Sequence, residues 1–171
     1  AFYWPEQKNG KILFAVADCT GHGVPGAMVS VVCNNGLNRS VREHGLTDPG
    51  KILDKTREII IQEFEKSEEV VKDGMDIALC SLDGNELQYA GANNPLWIIR
   101  KGANEVEEIK ADKQPIGKYA NEKLFTTHTV HLNEGDTIYI FSDGFTDQFG
   151  GEKKKKYKAA NLKKMLLSIQ Q

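Results

Sequence analysis

The sequence predicts an α+β fold in which mostly antiparallel sheets carry helices as separate layers. Three observations lead there. One apolar run near the start is followed by two helical stretches with no strand between them. Beyond residue 74 the apolar period falls from near 3.6 to two, and it stays there through residue 141. The later runs are joined by short polar turns, whereas parallel neighbours need a crossover of about a dozen residues or more.

Residues 11–17, Lys-Ile-Leu-Phe-Ala-Val-Ala, stop at Asp18 and read as a strand buried on both faces. From Val24, the positions Ala27, Met28, Val31, Val32 and Val41 recur near helical spacing, and Gly45 suits the residue just past a helix end. Asp48 is placed to cap a second helix with Pro49 at its first position, and Ile52, Leu53, Ile59, Ile60 and Phe64 line one face of it. A solvated stretch at 65–72 separates the helices from three short strands at 75–82, 86–90 and 96–100, with Asp83-Gly84 as the hairpin turn between the first two. Residues 125–132 alternate in polarity, Asn133-Glu134-Gly135 turns the chain, and 137–141 form a second buried strand ending at Ser142-Asp143-Gly144. Leu162, Met165, Leu166 and Ile169 suggest a last amphipathic helix.

At 171 residues, 40% hydrophobic and 27% charged, the chain suits one globular domain spanning 1–171 and excludes fibrous and disordered classes. A net charge of -2 carries no basic footprint, so no nucleic-acid partner is expected. No apolar run approaches the roughly 18 residues of a membrane span. Three cysteines, Cys19, Cys33 and Cys80, lack metal-site spacing and suit reduced thiols in a cytoplasmic setting. A start at Ala1 and a stop at Gln171 inside a helical pattern lead us to expect a piece of something longer.

Two of the buried-type strands deliver an aspartate to their ends and then bend on glycine: Asp18 before Cys19-Thr20-Gly21-His22-Gly23, and Asp143 before Gly144. Each alone reads first as a turn cap. As a pair they offer rigid anionic oxygens of the kind hard divalent cations take, provided the fold brings them together. The string from Gly21 to Gly26 also matches a dinucleotide-binding turn, but the acidic residue that should end a second parallel strand is missing. His22 has two readings, as a proton donor or phosphate ligand beside Asp18 and as a loop histidine bonded to a backbone carbonyl. His44 needs only a helix C-terminus to explain it, and His128 and His131, three apart in a strand, fall on opposite faces. Asp76, set in an apolar strand, faces either the site or solvent at a sheet edge. The lysine run at 153–156 is a solvated loop or a contact for an anionic partner.

Four ordered motifs carry a family resemblance: residues 17–28 (Ala-Asp-Cys-Thr-Gly-His-Gly-Val-Pro-Gly-Ala-Met), 87–96 (Leu-Gln-Tyr-Ala-Gly-Ala-Asn-Asn-Pro-Leu), 114–117 (Gln-Pro-Ile-Gly) and 141–147 (Phe-Ser-Asp-Gly-Phe-Thr-Asp). With them the chain resembles the metal-dependent type-2C protein serine/threonine phosphatases, in the bacterial branch of stage II sporulation protein E and the stress-response phosphatases of sigma-factor control. The resemblance implies two stacked antiparallel sheets flanked by helices, an αββα sandwich truncated here at both ends, with two Mn²⁺ or Mg²⁺ ions at one end. It implies Asp18 as the bridging ligand, the backbone carbonyl of Cys19 and Asp143 as further ligands, and a hydroxide held by both metals that attacks phosphoserine or phosphothreonine in line. It places the family's histidine at His22, with Cys19 and Thr20 intervening. Gly21 and Gly144 adjoin these residues in sequence, and Asp76 and Asp147, which match no family ligand, could supply an oxygen through water. Because further family ligands lie beyond both ends, zero or one ion is expected in this chain and two in the complete domain. It also implies the effector end of a longer signalling protein, either cytoplasmic or membrane-tethered through its parent, with a separate sensor domain, a phosphoserine-bearing regulatory protein as substrate, and room for a homodimer. A non-catalytic regulatory module that keeps the fold is the rival expectation.

Overall fold

The computed structural model describes residues 2–20, 24–66 and 74–142. Ten elements follow in chain order. They are β1 (Phe2–Lys8), β2 (Lys11–Cys19), α1 (Val24–Arg42), α2 (Pro49–Glu65), β3 (Met75–Asp83), β4 (Glu86–Ala92), β5 (Leu96–Ile99), β6 (Glu107–Ile109), β7 (His128–His131) and β8 (Thr137–Ile140). The strands make a five-stranded sheet in the order β1-β2-β3-β4-β7 and a three-stranded sheet in the order β6-β5-β8. Every strand pair within them is antiparallel, as the short turns require.

Two apolar layers follow from the strands' period of two. On one face of the large sheet, Leu13, Ala15 and Ala17 of β2 and Met75, Ile77 and Leu79 of β3 pack with Cys33, Leu37, Ile52 and Ile60 of the two helices. On the other face, Ala78, Cys80, Leu87 and Tyr89 meet Leu96 and Ile98 of the small sheet, with Phe14, Ile138 and Ile140 half-buried around them. The layers therefore run helix, sheet, sheet. The expected helix around 162–169 and the lysine run at 153–156 lie outside the described residues.

The helices are built as their caps dictate. At the end of α1, Gly45 takes φ +65°, its N–H returns to the Val41 carbonyl at 3.0 Å, and the Leu46 N–H reaches Ser40 at 3.2 Å. Asp48 caps α2 by accepting from the Lys51 N–H at 3.1 Å, with Pro49 in the first turn. The buried face of α1 differs from the expected one. Met28 and Val31 are exposed, and Val29, Cys33, Leu37 and Val41, spaced by four, face the core. Gly36 fixes that choice. It lets α1 approach α2 closely enough that an added Cβ would lie 3.2 Å from the Thr56 methyl, and Ser40 and Thr56 share a buried hydrogen bond of 3.0 Å.

Other boundaries also shift. β2 is fully buried only at alternate positions, because its second face meets a smaller sheet that leaves Phe14 and Val16 half-covered. The hairpin turn is Gly84-Asn85, with Asp83 still paired to Glu86 in the ladder. Residues 125–127 are not strand: the Phe125 N–H donates to Asp54 of α2, the Gly50 N–H of α2 donates to Thr127, and the Thr126 N–H donates to Asp112. β8 is half-buried throughout, as the middle layer covers it on one side only.

Candidate metal centre at the end of the large sheet

Alternation along β2 decides what its last two residues can do. With Leu13, Ala15 and Ala17 committed to the helices, Asp18 must point to the inter-sheet face and Cys19 back toward α1. β3 runs antiparallel beside it, and the register sets Asp18 directly opposite Asp76 and Cys19 opposite Met75. Residues so paired have Cβ atoms about 4.5–5.5 Å apart on one face of the sheet. Asp76 thus stands opposite Asp18 on the third strand of five and not at a sheet edge.

Asp76 is held from the third side. Asn93, at φ +63°, bridges to Ile77 and donates its side-chain amide to Asp76 Oδ1 at 2.9 Å. Asparagine is among the few residues that adopt this left-handed conformation readily. Two of the sequence motifs meet here for packing reasons. In the first of them, Gly91 leaves no room for a Cβ between the Tyr89 hydroxyl and the Asn94 carbonyl, and that hydroxyl donates to that carbonyl. In the second, Ile116 exchanges backbone hydrogen bonds with Met75 at 2.8 and 2.9 Å, so the 114–117 segment braces the start of β3 beside Asp76. Thr20 completes the frame: its N–H donates to the Gly74 carbonyl at 2.9 Å, and its hydroxyl accepts from the Gly74 N–H at 3.1 Å.

The small sheet arrives at the same end. β8 closes its ladder with Ile140 opposite Leu96, three residues after Asn93, and Phe141 packs edge-on against Trp97 with ring centroids 4.5 Å apart. Asp143, Gly144 and Asp147, together with Gly21 and His22, lie outside the described residues. Among the described residues no group of three or more His, Cys, Asp or Glu side chains gathers to hold a metal, so the described donors are two carboxylates. They suit one class of ion. Carboxylate oxygens select hard divalent cations, and two like charges set opposite each other on a sheet repel unless a cation lies between them.

On the helix side, the Cys19 thiol is hydrogen-bonded to Cys33 and Ser30 of α1; donation from Cys33 outweighs burial and brings Cys19 down to about 7. The same contact, with desolvation, pushes Cys33 up. Cys80 is raised by burial alone, in the layer between the sheets. All three are free thiols. The other histidines are placed as expected: His44 is exposed past α1, and His128 stacks on Tyr89 at 5.9 Å while His131 faces the other way.

The sandwich of two antiparallel sheets with helices on the large one is the fold of the type-2C protein phosphatases, and known structures of that class share it. The SiaA-PP2C domain of Pseudomonas aeruginosa superimposes with a TM-score of 0.73 at 31% identity, over 88% of this chain and 58% of that one. The structure of the RsbU and RsbW domains of Rv1364c from Mycobacterium tuberculosis gives 0.77 at 19% identity, over 99% and 45%. The family model described as Stage II sporulation protein E (SpoIIE) matches residues 8–171, and the chain belongs to that family, within the type-2C protein phosphatases. Phosphoserine phosphatase RsbU of Bacillus subtilis is 26% identical over 147 residues, 85% of this chain and 42% of RsbU. The chain thus spans less than half the length of that curated relative. Among the described residues no helix is long and apolar enough to cross a membrane.

Proposed function

We propose that this domain is a metal-dependent protein serine/threonine phosphatase that hydrolyses phosphoserine or phosphothreonine on a regulatory protein. The observation that carries the reading is the cross-strand pair of Asp18 and Asp76 at the end of the large sheet, with Asn93 orienting the second carboxylate. In this reading Asp18 and the Cys19 carbonyl hold Mn²⁺ or Mg²⁺, Asp143 adds a further ligand, and Asp76 acts beside them. Gly21, Gly144 and Asp147 are assigned beside the ligands from the sequence, and His22 is the candidate proton donor. A bound divalent pair supplies charge neutralisation for the phosphoryl oxygens and a lowered pKa for water. The chain's own part is to fix the carboxylates before substrate arrives. The ladder sets their spacing, the Thr20–Gly74 bonds hold the strand ends together, and the Asn93 amide fixes one oxygen of Asp76.

The name of the RsbU relative supports phosphoserine as the target, and the SpoIIE family supports a small regulator in sigma-factor control as the substrate class. We read residues 1–171 as one domain, the effector part of a longer cytoplasmic signalling protein whose sensor lies elsewhere. Hydrolysis of para-nitrophenyl phosphate and of a phosphoserine peptide in Mn²⁺ tests the proposal. Activity should vanish on Asp18→Asn and in EDTA; equal activity in EDTA would overturn the metal mechanism, and no hydrolysis by the full-length protein would favour a binding module.

A further inference from the structure

We propose that Cys19 and Cys33 form a reversible disulfide that ties the end of β2 to α1 and switches the adjoining site off under oxidation. The pairing rests on placement. Cys19 is the last residue of β2, the strand's alternation turns it toward α1, and there it packs against the buried cluster that contains Cys33. Cys33 sits one helical turn beyond Val29 on the buried face of α1 and is 0% exposed. Cys80 belongs to the opposite apolar layer, with the body of the large sheet between it and this pair, so it cannot compete.

Access is one-sided. Cys19 is only half-buried, whereas Cys33 is fully buried. A peroxide can therefore reach Cys19 while Cys33 remains shielded. The sulfur of Cys19 attacks one peroxide oxygen, breaks the O–O bond and becomes a sulfenic acid with release of one water. The Cys33 sulfur then displaces the sulfenic oxygen as a second water, so that two thiols and one peroxide give a disulfide and two waters. Without a nearby partner the sulfenic acid would go on to the sulfinic state; the contact with Cys33 makes resolution the shorter path.

The consequence for the site follows from bond lengths and rests on the phosphatase reading. A thiol–thiol contact must close to about 2.05 Å, with a dihedral near 90°, to become a disulfide. Cys33 lies on the face of α1 packed against the large sheet and α2, so most of the movement falls on the strand end, where Cys19 is covalently next to Asp18. Displacement of about 1 Å at a reacting centre is enough for a loss on the order of a hundredfold.

The experiment reads chemistry and activity separately. The purified protein is treated with hydrogen peroxide, cleared with catalase, alkylated and digested with trypsin; Cys19 and Cys33 share the tryptic peptide 12–39. That peptide should be lighter by two hydrogens and unalkylated, and should revert with dithiothreitol, while Cys80 stays a thiol. Phosphatase activity in Mn²⁺ should fall by roughly tenfold or more and return on reduction, and Cys33→Ala should abolish the reversible loss. Peptide 12–39 carrying two alkylated thiols after peroxide, or a sulfinic acid at Cys19 beside a free Cys33, would overturn the disulfide. A disulfide formed without loss of activity would overturn the switch. If the reduced protein hydrolyses nothing, the phosphatase reading fails while the peptide result still decides the pairing.

Discussion

At the residue scale, the site depends on which way two adjacent side chains point. Asp18 and Asp76 pair across the ladder on one face, and in the absence of a cation their mutual repulsion opposes folding. The sign is testable. Asp76→Asn keeps an acceptor for the Asn93 amide and removes one charge, so in EDTA the variant should be more stable than the wild type by roughly 0.2–1 kcal/mol in urea unfolding. In Mn²⁺ the same variant should lose about 10- to 100-fold in activity, and Asn93→Ala should lose activity without the gain in stability. An Asp76→Asn protein no more stable than wild type in EDTA would mean that the two carboxylates do not feel each other. Asp18 was legible in the sequence because an apolar strand ending in aspartate and glycine is a local pattern. The partnership with Asp76 was not, because residues 58 positions apart meet only through strand register. Asn93 stood inside a recognised motif without a role, and its one local clue was the tolerance of asparagine for positive φ.

At the scale of elements, the helices were readable and their faces were only partly so. The cap of α2 and its apolar stripe over Ile52, Leu53, Ile59 and Ile60 stand as the pattern predicts. On α1 the apolar residues exceed what one face can bury, and the close approach at Gly36 decides which of them go in. β1 was missed since its alternation mixes Tyr3, Glu6 and Gln7 with a proline, which an edge strand tolerates. Two expectations belong here. An added Cβ at Gly74 would collide with the backbone carbonyl of Ile116, which cannot swing aside as a side chain would. Gly74→Ala should therefore cost about 1–3 kcal/mol and weaken Mn²⁺ binding with it, checked by urea unfolding and calorimetry, since Gly74 joins Thr20 to the start of β3. The second concerns Asp54 on α2, which accepts from the Phe125 N–H at 2.9 Å and lies 3.5 Å from Arg57. Burial raises its carboxyl above the usual range, against the lowering by Phe125 and Arg57. A raised folded pKa favours the protonated group, so its contribution is complete below the unfolded value of about 3.9 and is lost as pH climbs through the folded one. Asp54→Asn retains the acceptor and cannot ionise; relative to wild type it should gain stability between pH 4 and neutrality, read as diverging urea midpoints. Parallel midpoints across that range would show that Asp54 ionises in the fold at no cost.

At the scale of the whole molecule, the layers explain why a site forms at one end and why it should respond to an ion as a unit. The large sheet is pinned on its helix side by a continuous apolar core, so β2 and β3 hold their register rigidly. Its other face meets a small sheet whose outer strands are half-buried or exposed, and that sheet is attached to the site through the four-residue step from Asn93 to Leu96. Under the proposed function, an ion held between Asp18 and its neighbours would link strands of the best-buried layer to the chain entering the least-buried one. Because an unfolded chain cannot present that arrangement, binding stabilises the fold by mass action, by about 2.7 kcal/mol when free ion is a hundred times its dissociation constant. For a domain of this size that corresponds to a rise in melting temperature of roughly 5–10 °C. We expect saturating Mn²⁺ to produce such a rise in the wild type, Asp18→Asn to abolish it, and Cys80→Ser, whose thiol lies between the sheets away from the carboxylates, to keep it. A melting temperature indifferent to Mn²⁺ in the wild type would remove the ion from the site, and an equal rise in Asp18→Asn would place it elsewhere on the molecule.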